Sequence, residues 1–128
     1  MNPTDYLAGG TVLVSAETYA VCRTDDTHPD AFATVRDDTE TTVVVTEANL
    51  DAIDADSVER GWNRLTFEMD LPFELVGFLA AVTSALARAD VSVFVLSSYS
   101  TDHVFVKAED LTAARSQLES LGCTVVDA

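Results

Sequence analysis

The stretch Phe94-Val95-Leu96-Ser97-Ser98-Tyr99-Ser100-Thr101-Asp102-His103-Val104-Phe105-Val106-Lys107 decides the fold. Two apolar runs of strand composition flank a short polar corner, the pattern of a hairpin with buried arms. Upstream, Leu75, Phe78, Leu79, Val82, Ala85, Leu86 and Ala89 recur at helical spacing, and the expected helix runs from Pro72 to about Arg88. Proline is tolerated in a first turn, where its missing N–H is not needed, and Glu74 there complements the positive helix start. Further upstream, Trp62 to Met69 alternates as a strand. Downstream, Leu111, Ala114, Leu118 and Leu121 mark a second helix over 109–121. Gly122 suits the left-handed position after a helix end, and Cys123 to Val126 closes the series. The order β-α-β-β-α-β predicts a split βαβ sandwich over residues 62–128, an α+β fold.

At 128 residues the chain is one domain or two very small ones, long enough to hide roughly two-thirds of its unfolded surface. Its charge is the unusual feature: 22 acidic against 7 basic residues, net −15, with Lys107 the only lysine. Asp outnumbers Glu by 14 to 8, and the acids are scattered, not gathered into a tail. Scattered acids with almost no lysine fit a salt-adapted, halophilic surface, whereas an acidic face for a basic partner would be patchy. Nucleic acid is excluded as a partner, because its phosphates would meet net repulsion. The start, Met1-Asn-Pro-Thr-Asp-Tyr6, has no basic region followed by an apolar stretch. The longest apolar run, 75–82, is too short to cross a bilayer. The expectation is a cytoplasmic protein without membrane contact, with Cys22 and Cys123 reduced and buried.

The first half is less regular. Residues 11–15 and 18–23 have strand composition, as do 32–36 and 41–46, and the last run is β-branched enough to be buried on both faces. The stretches 24–30 and 37–40 are turn chemistry. A brief helix is expected through Leu50 and Ile53, and 54–61 is the expected linker. The domains expected are therefore 1–61 and 62–128, consistent with a degenerate internal duplication.

The stretches Leu71-Pro-Phe-Glu-Leu-Val-Gly-Phe-Leu-Ala-Ala-Val82 and Asp90-Val-Ser-Val-Phe-Val-Leu-Ser-Ser-Tyr-Ser-Thr-Asp-His-Val-Phe-Val-Lys-Ala-Glu-Asp-Leu111 resemble the ACT domain. The likeness is greatest to the small prokaryotic tandem-ACT proteins related to the ACT repeats of the animal cytosolic arginine sensors. Tyr19-Ala-Val-Cys-Arg23 and Gly61-Trp62 match the upstream pattern of that group. The resemblance implies a ferredoxin-like βαββαβ fold, two ACT-like units side by side, the first degenerate. It also implies a regulatory role and a free amino acid bound at the interface of paired units. The implied site is the first strand–helix turn, Pro72, Phe73, Glu74, Leu75, Val76, Gly77 and Phe78, together with the corner Ser97, Ser98, Tyr99, Thr101 and Asp102. Free N–H groups at a helix start suit an α-carboxylate, and Asp102 suits an α-ammonium. Leu75 stands where the arginine sensors place an acidic residue, and Pro72 where the turn often has glycine. A neutral or apolar amino acid is therefore expected, not arginine.

Other chemistries are set aside on their residues. His28 among Asp25, Asp26 and Asp30 has metal-ligand types but lies in turn sequence, so no metal is expected. His103 beside Asp102 lacks a placed nucleophile, and no phosphate loop or dinucleotide fingerprint occurs. Gly77 within the expected helix suggests close backbone approach. The reading is a non-catalytic, cofactor-free module that binds an amino acid, forms a homodimer and signals to a regulated protein. The alternative is a ligand-free dimerisation or protein-interaction module. A pocket under the 97–102 corner separates the two.

Overall fold

The computed structural model describes residues 1–128. They form two compact units, one of residues 1–16 with 63–128 and one of residues 17–62. The expected boundary at 61/62 lies one residue from that junction. The first sixteen residues, however, fall with the second unit and not the first. Their side chains explain this: Leu7, Val12 and Val14 belong to the same apolar core as Leu65, Phe67, Val104 and Val106.

The larger unit contains the expected series. The end of β4 (Ala55–Phe67) is followed by α2 (Phe78–Arg88), β5 (Val93–Ser97), β6 (Asp102–Lys107), α3 (Leu111–Ser120) and β7 (Thr124–Asp127). Ahead of these come α1 (Pro3–Leu7) and the start of β1 (Thr11–Thr24). Hairpin β5–β6 is antiparallel, with Phe94 opposite Phe105 and Ser97 opposite Asp102. Strand β4 lies on the other side of β6. Between β4 and β7 runs β1, whose Thr11–Val14 pairs in parallel with Thr124–Asp127. The sheet of this unit thus takes one strand more than a βαββαβ fold needs.

Alternation along these strands turns Val12, Val14, Leu65, Phe67, Val104, Val106 and Val125 to one face, where Phe78, Val82, Leu86, Ala114 and Leu118 of the helices cover them. Phe67 and Phe78 meet edge to face at 5.2 Å, the geometry ring quadrupoles favour. α1 was not expected from the sequence. Asn2 caps it, its Oδ1 accepting from Thr4 N at 3.0 Å, with Pro3 in the first helical position. Its last residue, Leu7, is fully buried and its carbonyl accepts from Cys123 Sγ at 3.4 Å. Gly122 ends α3 with φ 98°, as expected, and a Cβ there would come within 3.0 Å of Ala8 Cα. Both the backbone angle and the space require glycine.

The smaller unit has the rest of β1, β2 (Ala33–Arg36), β3 (Thr41–Thr46), a 3-10 turn over Glu47–Ala52 and the start of β4. Its strands are ordered β2-β3-β1-β4. That is the βαββαβ strand order with both helices lost, the second replaced by the 3-10 turn. Its core is Ala20, Cys22, Val43, Val45, Leu50 and Ile53. In the 37–40 turn the Asp37 carboxylate accepts from Thr39 N at 2.8 Å and Glu40 N at 2.9 Å. Those bonds favour the ionised form and hold its pKa below the usual carboxylate value.

Two expectations are corrected here. Residues 11–24 are one strand, not two, because the exposed Ala16 and Glu17 read as a break although the backbone pairing is unbroken. Residues 54–61 are not a linker, since all but Asp54 lie in β4. Their side chains are mostly exposed, so the hydrophobic pattern is faint, and only Ala55 and Val58 pack on the core.

Candidate functional site

The β5–β6 corner is held by its own polar groups. Ser98 N donates to Thr101 O at 2.9 Å, closing the turn. Ser97 Oγ donates to Asp102 Oδ1 at 2.5 Å, Ser98 Oγ to Thr101 O at 3.2 Å, and Thr101 Oγ1 to Phe67 O at 2.6 Å. Leu71 N donates to Ser100 O at 2.7 Å and so ties the segment leaving β4 to the corner.

That segment is a loop. The expected helix start at Pro72 is corrected: only one bond of turn type forms there, Leu75 N to Pro72 O at 3.0 Å, and α2 begins at Phe78. Gly77 is the reason, because its φ of 90° cannot be part of a right-handed helix. It precedes the helix, and the first intrahelical bond runs from Ala81 N to Gly77 O at 3.0 Å. A Cβ on Gly77 would meet only Pro3 Cγ, at 3.8 Å. The residue is therefore required by its backbone angle, and no strand approaches it closely. Glu74, placed by sequence in a first helical turn, lies in the loop.

Loop and corner enclose a pocket of about 160 Å³. Leu71, Pro72, Phe73, Leu75 and Phe78 line one side. Ser97, Ser98, Tyr99, Ser100, Thr101 and Asp102 line the other. Nine of the twelve residues selected from the sequence thus converge on one cavity, while Glu74, Val76 and Gly77 do not line it. Val76 is 81% exposed. Sequence reasoning missed Leu71 and Ser100, although both stand inside the two stretches that single out the site. Phe73 and Tyr99 meet edge to face at 4.9 Å while staying largely in solvent, at 73% and 82% exposure. Asp102 is the only formal charge in the lining, which includes no basic side chain.

Behind the corner His103 bridges two hydroxyls, Nδ1 standing 3.0 Å from Thr66 Oγ1 and Nε2 3.2 Å from Ser98 Oγ. Burial lowers its pKa, the Arg64 guanidinium lowers it further, and Asp102 opposes both. The imidazole is thus neutral at pH 7, a bridging residue of the turn. His28 plays a turn role too, its Nδ1 accepting from Asp30 N at 3.0 Å. No group of three or more His, Cys, Asp or Glu is arranged to hold a metal ion. Cys22 and Cys123 are free and buried, and burial raises the pKa of both thiols. No helix is long and apolar enough to cross a membrane.

Solved structures share this fold. A protein from Agobacterium tumefaciens superposes with a TM-score of 0.79 at 20% identity, over 94% of each chain. A Vibrio cholerae protein of unknown function, titled a possible transport protein, gives 0.72 at 23% identity over 93% of this chain and 96% of its own. The ligand-free regulatory subunit of aspartate kinase from Thermus thermophilus gives 0.64 at 11% identity over 90% and 98%. No curated protein matches the chain. The family model for the ACT domain matches residues 57–120, half the chain, including the loop, the pocket-lining corner and both long helices. The chain belongs to the ACT domain family.

Proposed function

We propose that the chain is a non-catalytic regulatory module that binds a small free amino acid in the pocket between the 71–78 loop and the 97–102 corner. The observation that carries this reading is the lining itself: an apolar side for an aliphatic side chain, facing a polar side with one carboxylate. Asp102 bonds the α-ammonium, with the charge-assisted strength such a pair has. The pocket has room for a body about the size of benzene. A small neutral amino acid fits that room. The module passes occupancy to a partner protein by differential affinity: the ligand stabilises one arrangement, and the partner reads it. Its place is the cytoplasm, a reading that the two unpaired, buried thiols support.

A thermal-shift screen of the twenty amino acids in molar KCl tests the reading. A ligand at 100 times its dissociation constant stabilises the fold by about 2.7 kcal/mol, so small aliphatic amino acids should raise the midpoint by several degrees. Twenty flat traces would refute it. One observation favours a second reading, a homodimerising module without a ligand: Phe73 and Tyr99 are large, exposed and packed on one another at the site, and Val76 of the same loop is exposed as well. Light scattering separates the two. Under the second reading Tyr99→Ser shifts a dimer towards monomer and no amino acid changes the distribution.

A further inference from the structure

Three of the corner's hydroxyls direct their protons at acceptors within the fold. Ser97 Oγ–H points at Asp102 Oδ1, Ser98 Oγ–H at the Thr101 carbonyl and Thr101 Oγ1–H at the Phe67 carbonyl. Ser98 Oγ also stands 3.2 Å from His103 Nε2, and Thr66 Oγ1 stands 3.0 Å from Nδ1. What these three hydroxyls still present is therefore lone pairs. They accept, as the Asp102 carboxylate does. An open groove beside the pocket shares Ser100 and Thr101, and its other lining includes Glu68 and Asp70, again without a basic side chain. Phe73 and Tyr99 add π-faces, which attract cations. A ligand's ammonium meets partners from all these groups, whereas its carboxylate meets no cation in either lining.

We infer that the pocket recognises the ammonium end of its ligand and sets no requirement for a carboxylate, so that small primary alkylammonium ions are ligands in their own right. This deepens the amino-acid reading and rests on the same pocket. An ammonium brings three donors and a positive charge to a lining whose only formal charges, there and in the adjoining groove, are carboxylates. A carboxylate brings only acceptors and negative charge, and is best left in the solvent at the open side.

Calorimetry on the full chain tests this with valine, isobutylamine, which is valine without its carboxylate, and N-acetylvaline, which lacks the ammonium. In about 2 M KCl the screening length falls to a few ångströms, which removes general attraction of cations to an acidic chain. Isobutylamine should bind within about threefold of valine, less than about 0.7 kcal/mol apart, and N-acetylvaline should give no binding heat. Asp102→Asn should weaken isobutylamine by about tenfold or more, which marks binding as local to the corner. Isobutylamine binding more than about tenfold more weakly than valine overturns the inference and leaves the amino-acid reading intact. Isobutylamine binding without valine upholds the inference and removes the amino-acid reading. Binding of neither overturns both, and N-acetylvaline binding as well as valine overturns the ammonium assignment alone.

Discussion

His103 carries a consequence that titration can read. Its pKa lies below the ordinary 6.5 because burial and then Arg64 disfavour the imidazolium, with Asp102 in partial opposition. A group whose folded pKa is depressed stabilises the fold above its unfolded value and loses that contribution as pH falls through the folded one. Stability measured in urea should therefore hold near neutrality and decline as pH falls below 6.5. His103→Gln keeps a hydrogen-bonding side chain without the titration, and should flatten that decline. An unchanged profile would assign the decline to other groups. Gly77 gives a second test at this scale. An L-residue at left-handed φ costs roughly 1–2 kcal/mol, so Gly77→Ala should destabilise by about that much and Gly77→Asn by less. Equal, negligible effects in chemical unfolding would contradict the argument from its angle. Gly77 also marks where sequence reasoning stopped. The apolar spacing through Leu75, Phe78 and Leu79 continues across it, and a spacing carries no sign of φ.

At the scale of elements, α2 and α3 are legible because a one-sided core gives each a clear period, and β5 and β6 because their continuous apolar runs stop at a polar corner, with Val104, Phe105 and Val106 all fully buried. Legibility failed where backbone pairing and not side-chain burial defines the element. Most of β4 from Ala55 to Arg60 exposes its side chains and reads as a linker, and α1 is only five residues long, too short to show a period. The N-terminal segment is the most consequential of these. Leu7 is fully buried in the core beneath the C-terminal helices, and β1 stands between β4 and β7. Leu7→Ala should therefore cost about 2–5 kcal/mol, the range for emptying a buried leucine site. A cost below about 0.5 kcal/mol, the usual size for a surface change, would show the segment to be dispensable. The site fared as the fold did. The resemblance implies the corner and the whole 72–78 turn by position, and position along a chain does not tell which loop side chains face the cavity, so Glu74 and Val76 stand in the expectation but not in the lining.

For the whole molecule the controlling quantity is a net charge of −15 on 128 residues. The ion pair between Arg115 and Asp127, at 2.9 Å, leaves Asp127 mostly exposed and offsets little. Self-repulsion should weaken the fold at low ionic strength, and unfolding midpoints should rise steeply between about 0.1 M and 3 M KCl. A flat profile would remove the salt-adaptation argument. The same salt permits the test of function, because it leaves short, paired contacts while screening distant charge. Calorimetry in molar KCl should compare the parent chain with Asp102→Asn, titrated with the small neutral amino acid that shifts the midpoint most. Asp102→Asn keeps the shape of the corner and removes its only formal charge. The account predicts saturable binding by the parent and a loss of about 1.5–3 kcal/mol in the variant, roughly ten- to a hundredfold in affinity, with unfolding little changed. Equal affinity in parent and variant would contradict it, and would make the 97–102 corner a turn and nothing more.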